Sequence, residues 1–356
     1  MIKTNILQFL IIPLTFIFVT GCEKDSATAP LSIKTEVSAK LLLYLESEGD
    51  IINKMPVPVV SAAEVYNNIG NVLVIDLREN AAFLEGHIAG AKNITKDLLF
   101  NYVRTNYTNY GKVVLVSASG QSAGYYSALL QLAGFTNIYY MNFGMASWNV
   151  FFSSVWAERL NIEPDFSFFS HDIYSKRSYS NLPQINLNSP GESMKDLVIQ
   201  RVDSLIKEGF NEDYNSWESN SAITSSYWGN MRNQFYTICT GPVVLYNSSP
   251  FTTNTYHLLG SVLYQVPPDH SDLRSVSYLQ TLPSGGPIAV YSGTGQESAF
   301  YTAYLRFLGY NARSILFGMN NMEYNMLFRA AEIISYAYQL SSIMHYPYVS
   351  GQGIKK

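Results

Sequence analysis

Apolar residues follow two rhythms along this chain. VLVIDL (72–77) and VVLV (113–116) are unbroken apolar runs, as a strand buried on both faces of a sheet requires. FYTICTG (235–241) reads as a third strand, with Cys239 as a buried, inert thiol. Elsewhere the spacing is helical. A short amphipathic helix is predicted around 38–50 (AKLLLYLESEG), and Ser61-Ala62-Ala63-Glu64 has the spacing of a capping box that starts another. After VVLV, Tyr126, Leu129, Leu130 and Ala133 fall on one helical face and Gly134 supplies the stop. Periodicity is lost over 162–190, where Pro, Asn and Ser gather into a linker. MKDLVIQRVDSLIKEGF (194–210) then opens a new helix.

An internal repeat organises these elements. Residues 117–135 align without a gap to 292–310, with seven of the nineteen positions identical, among them Ser117/Ser292, Gly120/Gly295, Gln121/Gln296 and Gly134/Gly309. Phe143-Gly144-Met145 returns as Phe317-Gly318-Met319, and His87-Ile88-Ala89-Gly90 as His257-Leu258-Leu259-Gly260. Alternating strands and helices, repeated, predict an α/β protein of two domains, each a mostly parallel central sheet flanked by helices.

The N-terminus changes the picture. Lys3 precedes an apolar stretch from Ile6 to Val19, interrupted by Pro13 and closed by Val19-Thr20-Gly21-Cys22. Such a stretch is short of the ~20 residues of a membrane span and has the layout of a secretory signal. Its VTGC ending resembles the bacterial lipoprotein signal, in which the cysteine is lipidated. The expectation is a protein exported to the bacterial cell envelope (periplasmic or surface face) and held at a membrane by lipid on Cys22. Residues 23–37 read as a polar tether. With Cys22 lipidated, Cys239 has no intramolecular partner, so stability rests on apolar cores. Only 14% of residues are charged, the net charge is −4 and no basic run stands out, so nucleic acid is excluded as a partner.

DLRENAAFLEGHIAGAKNI (76–94) resembles the rhodanese-like domain, with its Asp-x-Arg strand end and Gly-His-Ile-x-Gly-Ala turn. VVLVSASGQSAGYYSALLQLAGFTNIYYMNFGMASW (113–148) resembles that domain's active-site strand, loop, helix and closing segment, and PIAVYSGTGQESAFYTAYLRFLGYNARSILFGMNNM (287–322) resembles the same unit in tandem members. Together with the N-terminal and compositional readings (a signal peptide over 1–22, a tether and short helix over 23–54, a linker over 161–189 and a tail over 346–356), the resemblance implies one rhodanese-like domain over 55–160 and a second over 190–345. The second copy departs upstream: Tyr246 and Ser248 are read as standing in for Asp76 and Arg78, and Tyr256 for Gly86.

In that family a cysteine opens the loop and carries sulfur as a persulfide, while loop and helix N–H groups hold anions. Here the two loops are Ser117, Ala118, Ser119, Gly120, Gln121, Ser122, Ala123 and Ser292, Gly293, Thr294, Gly295, Gln296, Glu297, Ser298, and both begin with serine. A serine oxygen forms no persulfide and is a poor nucleophile without an adjacent base. Glu297 is expected to put a negative charge where an anion would sit. The first loop, free of acidic side chains, should be the better preserved cradle for a small anion or a partner's side chain. The resulting expectation is a non-catalytic binding or scaffolding module with no cofactor and no metal. Two alternatives stay open: a sulfurtransferase-related enzyme using Cys239 or a partner thiol, and a serine hydrolase at Ser122, because Gly120-Gln121-Ser122-Ala123-Gly124 spells the GxSxG elbow. The hydrolase would need His171 or His257. Against it, the repeat sets Glu297 opposite Ser122. His87 and His257 are expected to cap turns, Asp76 and Arg78 to brace a strand end, and Trp148 to pack in the core.

Overall fold

A computed structural model describes residues 37–185, 193–247, 257–268, 270–351 and 354–355. The signal, Cys22, the tether up to residue 36, Ser248 and Tyr256 lie outside the described residues.

The first sheet contains β1 (Val59–Val60), β2 (Leu73–Asp76), β3 (Lys92–Asn93), β4 (Val113–Val116) and β5 (Ile138–Met141). Its order is β1-β5-β4-β2-β3, and every pair is parallel. The second contains β6 (Ala222–Ile223), β7 (Tyr236–Thr240), β8 (Val262–Tyr264), β9 (Pro287–Tyr291) and β10 (Asn311–Ile315). Its order, β8-β7-β9-β10-β6, is again all parallel and matches the first sheet strand for strand, once β6 is set against β1 and β9 against β4.

Strand alternation decides which face each side chain serves. Val113 and Leu115 join a core shared by both halves, whereas Val114 and Val116 enter a separate cluster with Trp148. On β9, Ile288 and Val290 face the shared core, and Ala289 and Tyr291 face a third cluster that holds Cys239. The shared core lies between the sheets and is filled by helices. α1 (Val37–Ser47) buries Leu41 and Leu42 there. α2 (Val198, Val202, Leu205 and Ile206 of Met194–Glu208) adds a second stripe, started by the Ser193/Asp196 capping box.

At the centre are α3 (Gln121–Leu132) and α4 (Gln296–Phe307), the helices that follow the repeated loops. All twelve residues of α3, and all of α4 except Arg306, are buried. A helix buried on every side has no solvent face to keep polar, which is why the amphipathic signal is weak over both. Gly124 lets the two helices close up, because a Cβ there would fall 2.7 Å from the Gln296 carbonyl oxygen.

Candidate functional site

Each repeated loop joins a central strand to one of these buried helices at the C-terminal edge of its sheet. Gly120 (φ 86°) and Gly295 (φ 78°) make the left-handed step into the helix. A side chain at either position would also collide with a glutamine of the other half: Gln296 over Gly120, and Gln121 over Gly295. Those glutamines act reciprocally. Phe317 N–H donates to Gln121 Oε1 at 2.7 Å, and Phe143 N–H donates to Gln296 Oε1 at 2.9 Å. Phe143 (φ 58°) and Phe317 (φ 63°) each hold a left-handed backbone conformation that is uncommon for a non-glycine residue. Each repeated Phe-Gly-Met turn is thus pinned by the opposite half. Trp156, fully buried, sits edge-on to both phenylalanines, 5.1 Å from Phe143 and 4.9 Å from Phe317 by ring centroids.

In the first loop, Ser117 Oγ accepts the Gly120 N–H at 3.0 Å and donates to Glu212 Oε2 at 3.0 Å. Glu212 belongs to the segment after α2. Its Oε2 also accepts the Ser119 hydroxyl (2.8 Å) and the Ser122 N–H (3.0 Å), while Oε1 accepts the Ala118 N–H (3.0 Å). The loop therefore holds an anion, and the anion is a carboxylate of the same chain. Glu212 makes no ion pair among the described residues. Two loop N–H groups, two hydroxyls and the positive end of α3 carry the charge.

The second loop is closed differently. Ser292 Oγ accepts the Gly295 and Ser298 N–H groups, both at 3.1 Å. Tyr336 lies against Gly293, where a Cβ would fall 2.6 Å from the tyrosine Cβ. Asn320 ties the two together, donating to the Gly293 and Tyr336 carbonyl oxygens at 2.8 Å each. The expected negative charge at Glu297 is not there. Its side chain is buried, its carboxyl is bonded by Tyr336, its Oε2 is unpaired, and burial pushes its pKa up from 4.5 to about 8. Near neutral pH it is an uncharged acid.

Sheet register also corrects the upstream reading. Asp76 pairs with Val116, the residue before Ser117, and Cys239 pairs with Tyr291, the residue before Ser292. The counterpart of Asp76 is therefore Cys239, not Tyr246. Tyr246 instead matches Phe83: His87 stacks on Phe83 at 3.7 Å, and His257 on Tyr246 at 3.8 Å. Both histidines hold turns, with His87 Nδ1 2.8 Å from the Phe83 carbonyl oxygen and His257 Nε2 2.8 Å from that of Asp172. Arg78 grips Asp76 at 2.6 Å and reaches on to the Gly86 carbonyl oxygen at 2.7 Å, bracing the strand end. Cys239 is fully buried, and burial drives its thiol pKa well up, with Tyr291 bonded to it. Accepting sulfur needs an accessible thiolate, and this thiol is buried. Ser122 meets Glu212 through its N–H, and His257 is spent on backbone oxygens, so the hydrolase reading gains no base from it.

Comparison with known proteins bears on the first half. Residues 61–150 match the family of the rhodanese-like domain. They form a rhodanese-like domain. The match is confined to that segment, and the parallel sheets flanked by helices give the chain a mixed α/β fold. Among solved structures, a rhodanese-related protein from Thermoplasma volcanium is 24% identical over 25% of this chain and 88% of its own, with a TM-score of 0.18. Thiosulfate sulfurtransferase from Pseudomonas aeruginosa is 12% identical over 81% of this chain and 47% of its own, with a TM-score of 0.27, so this chain spans less than half of that protein. A probable thiosulfate sulfurtransferase is 16% identical over 70% of this chain and 94% of its own, with a TM-score of 0.25. No curated protein matches.

Neither Glu212 nor Tyr336 is marked by any pattern in the sequence. Glu212 sits in a polar stretch, NEDYN, 90 to 95 residues from the groups it binds.

Proposed function

We propose that this protein is an envelope lipoprotein whose two rhodanese-like copies (55–160 and 190–345) no longer transfer sulfur and serve as a non-catalytic binding or scaffolding module. The observation that carries this reading is the first loop itself. Serine stands where the family has its cysteine, and the donors that would face a substrate anion are spent on Glu212. The second loop supports it from another direction, with Gly293 lying against Tyr336 and burial raising the pKa of Glu297 to about 8. Export and anchoring are supported by Lys3, the apolar 6–19 stretch and the VTGC ending at Cys22.

The test is a thiosulfate:cyanide sulfurtransfer assay on residues 23–356. The expected result is no thiocyanate above background. Turnover that survives Cys239→Ser would sink the non-catalytic reading; turnover abolished by that change would assign sulfur transfer to Cys239.

A further inference from the structure

We propose that the first loop is a carboxylate receptor and that Glu212 is its tethered resident ligand, so that once Glu212 is withdrawn the loop takes a carboxylate supplied from outside. The inference rests on the reading of this loop as a cradle without a nucleophile, and it adds what the cradle accepts.

The donor set selects the ligand. One carboxylate oxygen receives three donors, from Ser117, Ser119 and Ser122, and the other receives the Ala118 N–H. That is a two-oxygen pattern carried by neutral groups. A single negative charge is matched by hydroxyls, N–H groups and the end of a twelve-residue helix. A tetrahedral dianion such as sulfate carries two further oxygens, for which this donor set offers no partner. The hydroxyls are themselves held in place: Gln121 Nε2 donates to Ser119 Oγ at 2.9 Å, and Gly120 N–H to Ser117 Oγ.

Glu212 is also free to leave without taking its segment along. Phe210 is buried against Tyr125 at 5.1 Å, and its N–H donates to Tyr126 at 3.2 Å. On the other side, the Tyr214 hydroxyl donates to Asn321 at 2.8 Å. These anchors hold the chain on either side of Glu212, a residue that is itself partly exposed. Tethering keeps its effective concentration high, on the order of millimolar, so an outside acid meets a closed site while Glu212 is in place.

The experiment compares wild type and Glu212→Ala, both as residues 23–356, titrated with sodium acetate at constant ionic strength. Melting temperature of Glu212→Ala should rise saturably by about 2–5 °C, exchange of the 117–123 amides should slow with acetate, and wild type should not respond. Sodium sulfate should give a smaller effect. A folded Glu212→Ala with no saturable response overturns the proposal, and so does a sulfate response equal to that of acetate. If Glu212→Ala does not fold, Glu212→Gln carries the test. Its 117–123 amides should exchange roughly tenfold faster than in wild type, and unchanged protection overturns the proposal. Thiocyanate turnover would defeat the non-catalytic reading but leave acetate binding standing; an absent acetate response would do the reverse.

Discussion

Glu297 offers the sharpest test of how the second half is built. Its carboxyl is buried on the first turn of α4 and titrates near 8, where a free glutamate titrates near 4.5. Between those values the native state keeps a proton that the unfolded chain releases. The unfolded state therefore binds fewer protons, and stability falls as pH rises through this window. The slope is about 1.4 kcal/mol per pH unit, so the loss reaches several kcal/mol between pH 5 and pH 8 and levels off above pH 8. Glu297→Gln keeps the shape and removes the titration. The assay is urea unfolding of residues 23–356 at pH 5, 6, 7 and 8 and fixed ionic strength. The variant should be close to wild type at pH 5 and more stable by several kcal/mol at pH 8. Parallel pH profiles for the two proteins would refute the reasoning, because they would mean that Glu297 is ionised in the native state.

Ser117→Cys should be alkylated slowly by iodoacetamide, because the Glu212 carboxylate faces the new sulfur; adding Glu212→Gln should speed it at least about tenfold, and equal rates would show that the carboxylate does not act on this position. Gln121→Ala or Gln296→Ala leaves a buried N–H of Phe317 or Phe143 without its acceptor, each at a cost of about 1–3 kcal/mol. Denaturant unfolding of the double variant should show non-additivity, since both bonds hold one interface. Cys22→Ser should release the exported protein from membranes; a variant that stays in the salt-washed pellet would mean that residues 6–19 act as an ordinary anchor.

The central strands were legible because the runs at 73–75 and 113–116 are buried on both faces and leave no polar position to confuse the pattern. The helix starting at Ala62 was legible from its cap, where Ser61 accepts the Glu64 N–H, and the one starting at Met194 from the MKDLVIQRVDSLIKEGF stretch that follows the linker; its Ser193/Asp196 capping box went unread. The loops were legible from the repeat, but their contents were not. Gln121 and Gln296 recur in the sequence as though they belonged to a site, whereas each buttresses the other half. Register went astray upstream because the chain runs four residues from Phe83 to His87 and eleven from Tyr246 to His257, so counting back from the histidines lands on the wrong residue. The charge at Glu297 was misread because burial, which decides whether a carboxyl ionises, leaves no trace in a single letter.

The crossed glutamines make the two halves interdependent as pieces of heredity as well as of structure. Each half carries the acceptor that completes a strained turn in the other, and each lends a wholly buried helix to their common interior. Neither half is a cassette that recombination could lift out and splice elsewhere, since the excised piece would bring an exposed apolar helix and a turn without its clasp. A change on one side of the interface is tolerable only alongside a matching change on the other. The chain behaves as a fused pair of partners, and divergence between the two loops is confined to what the shared interior allows.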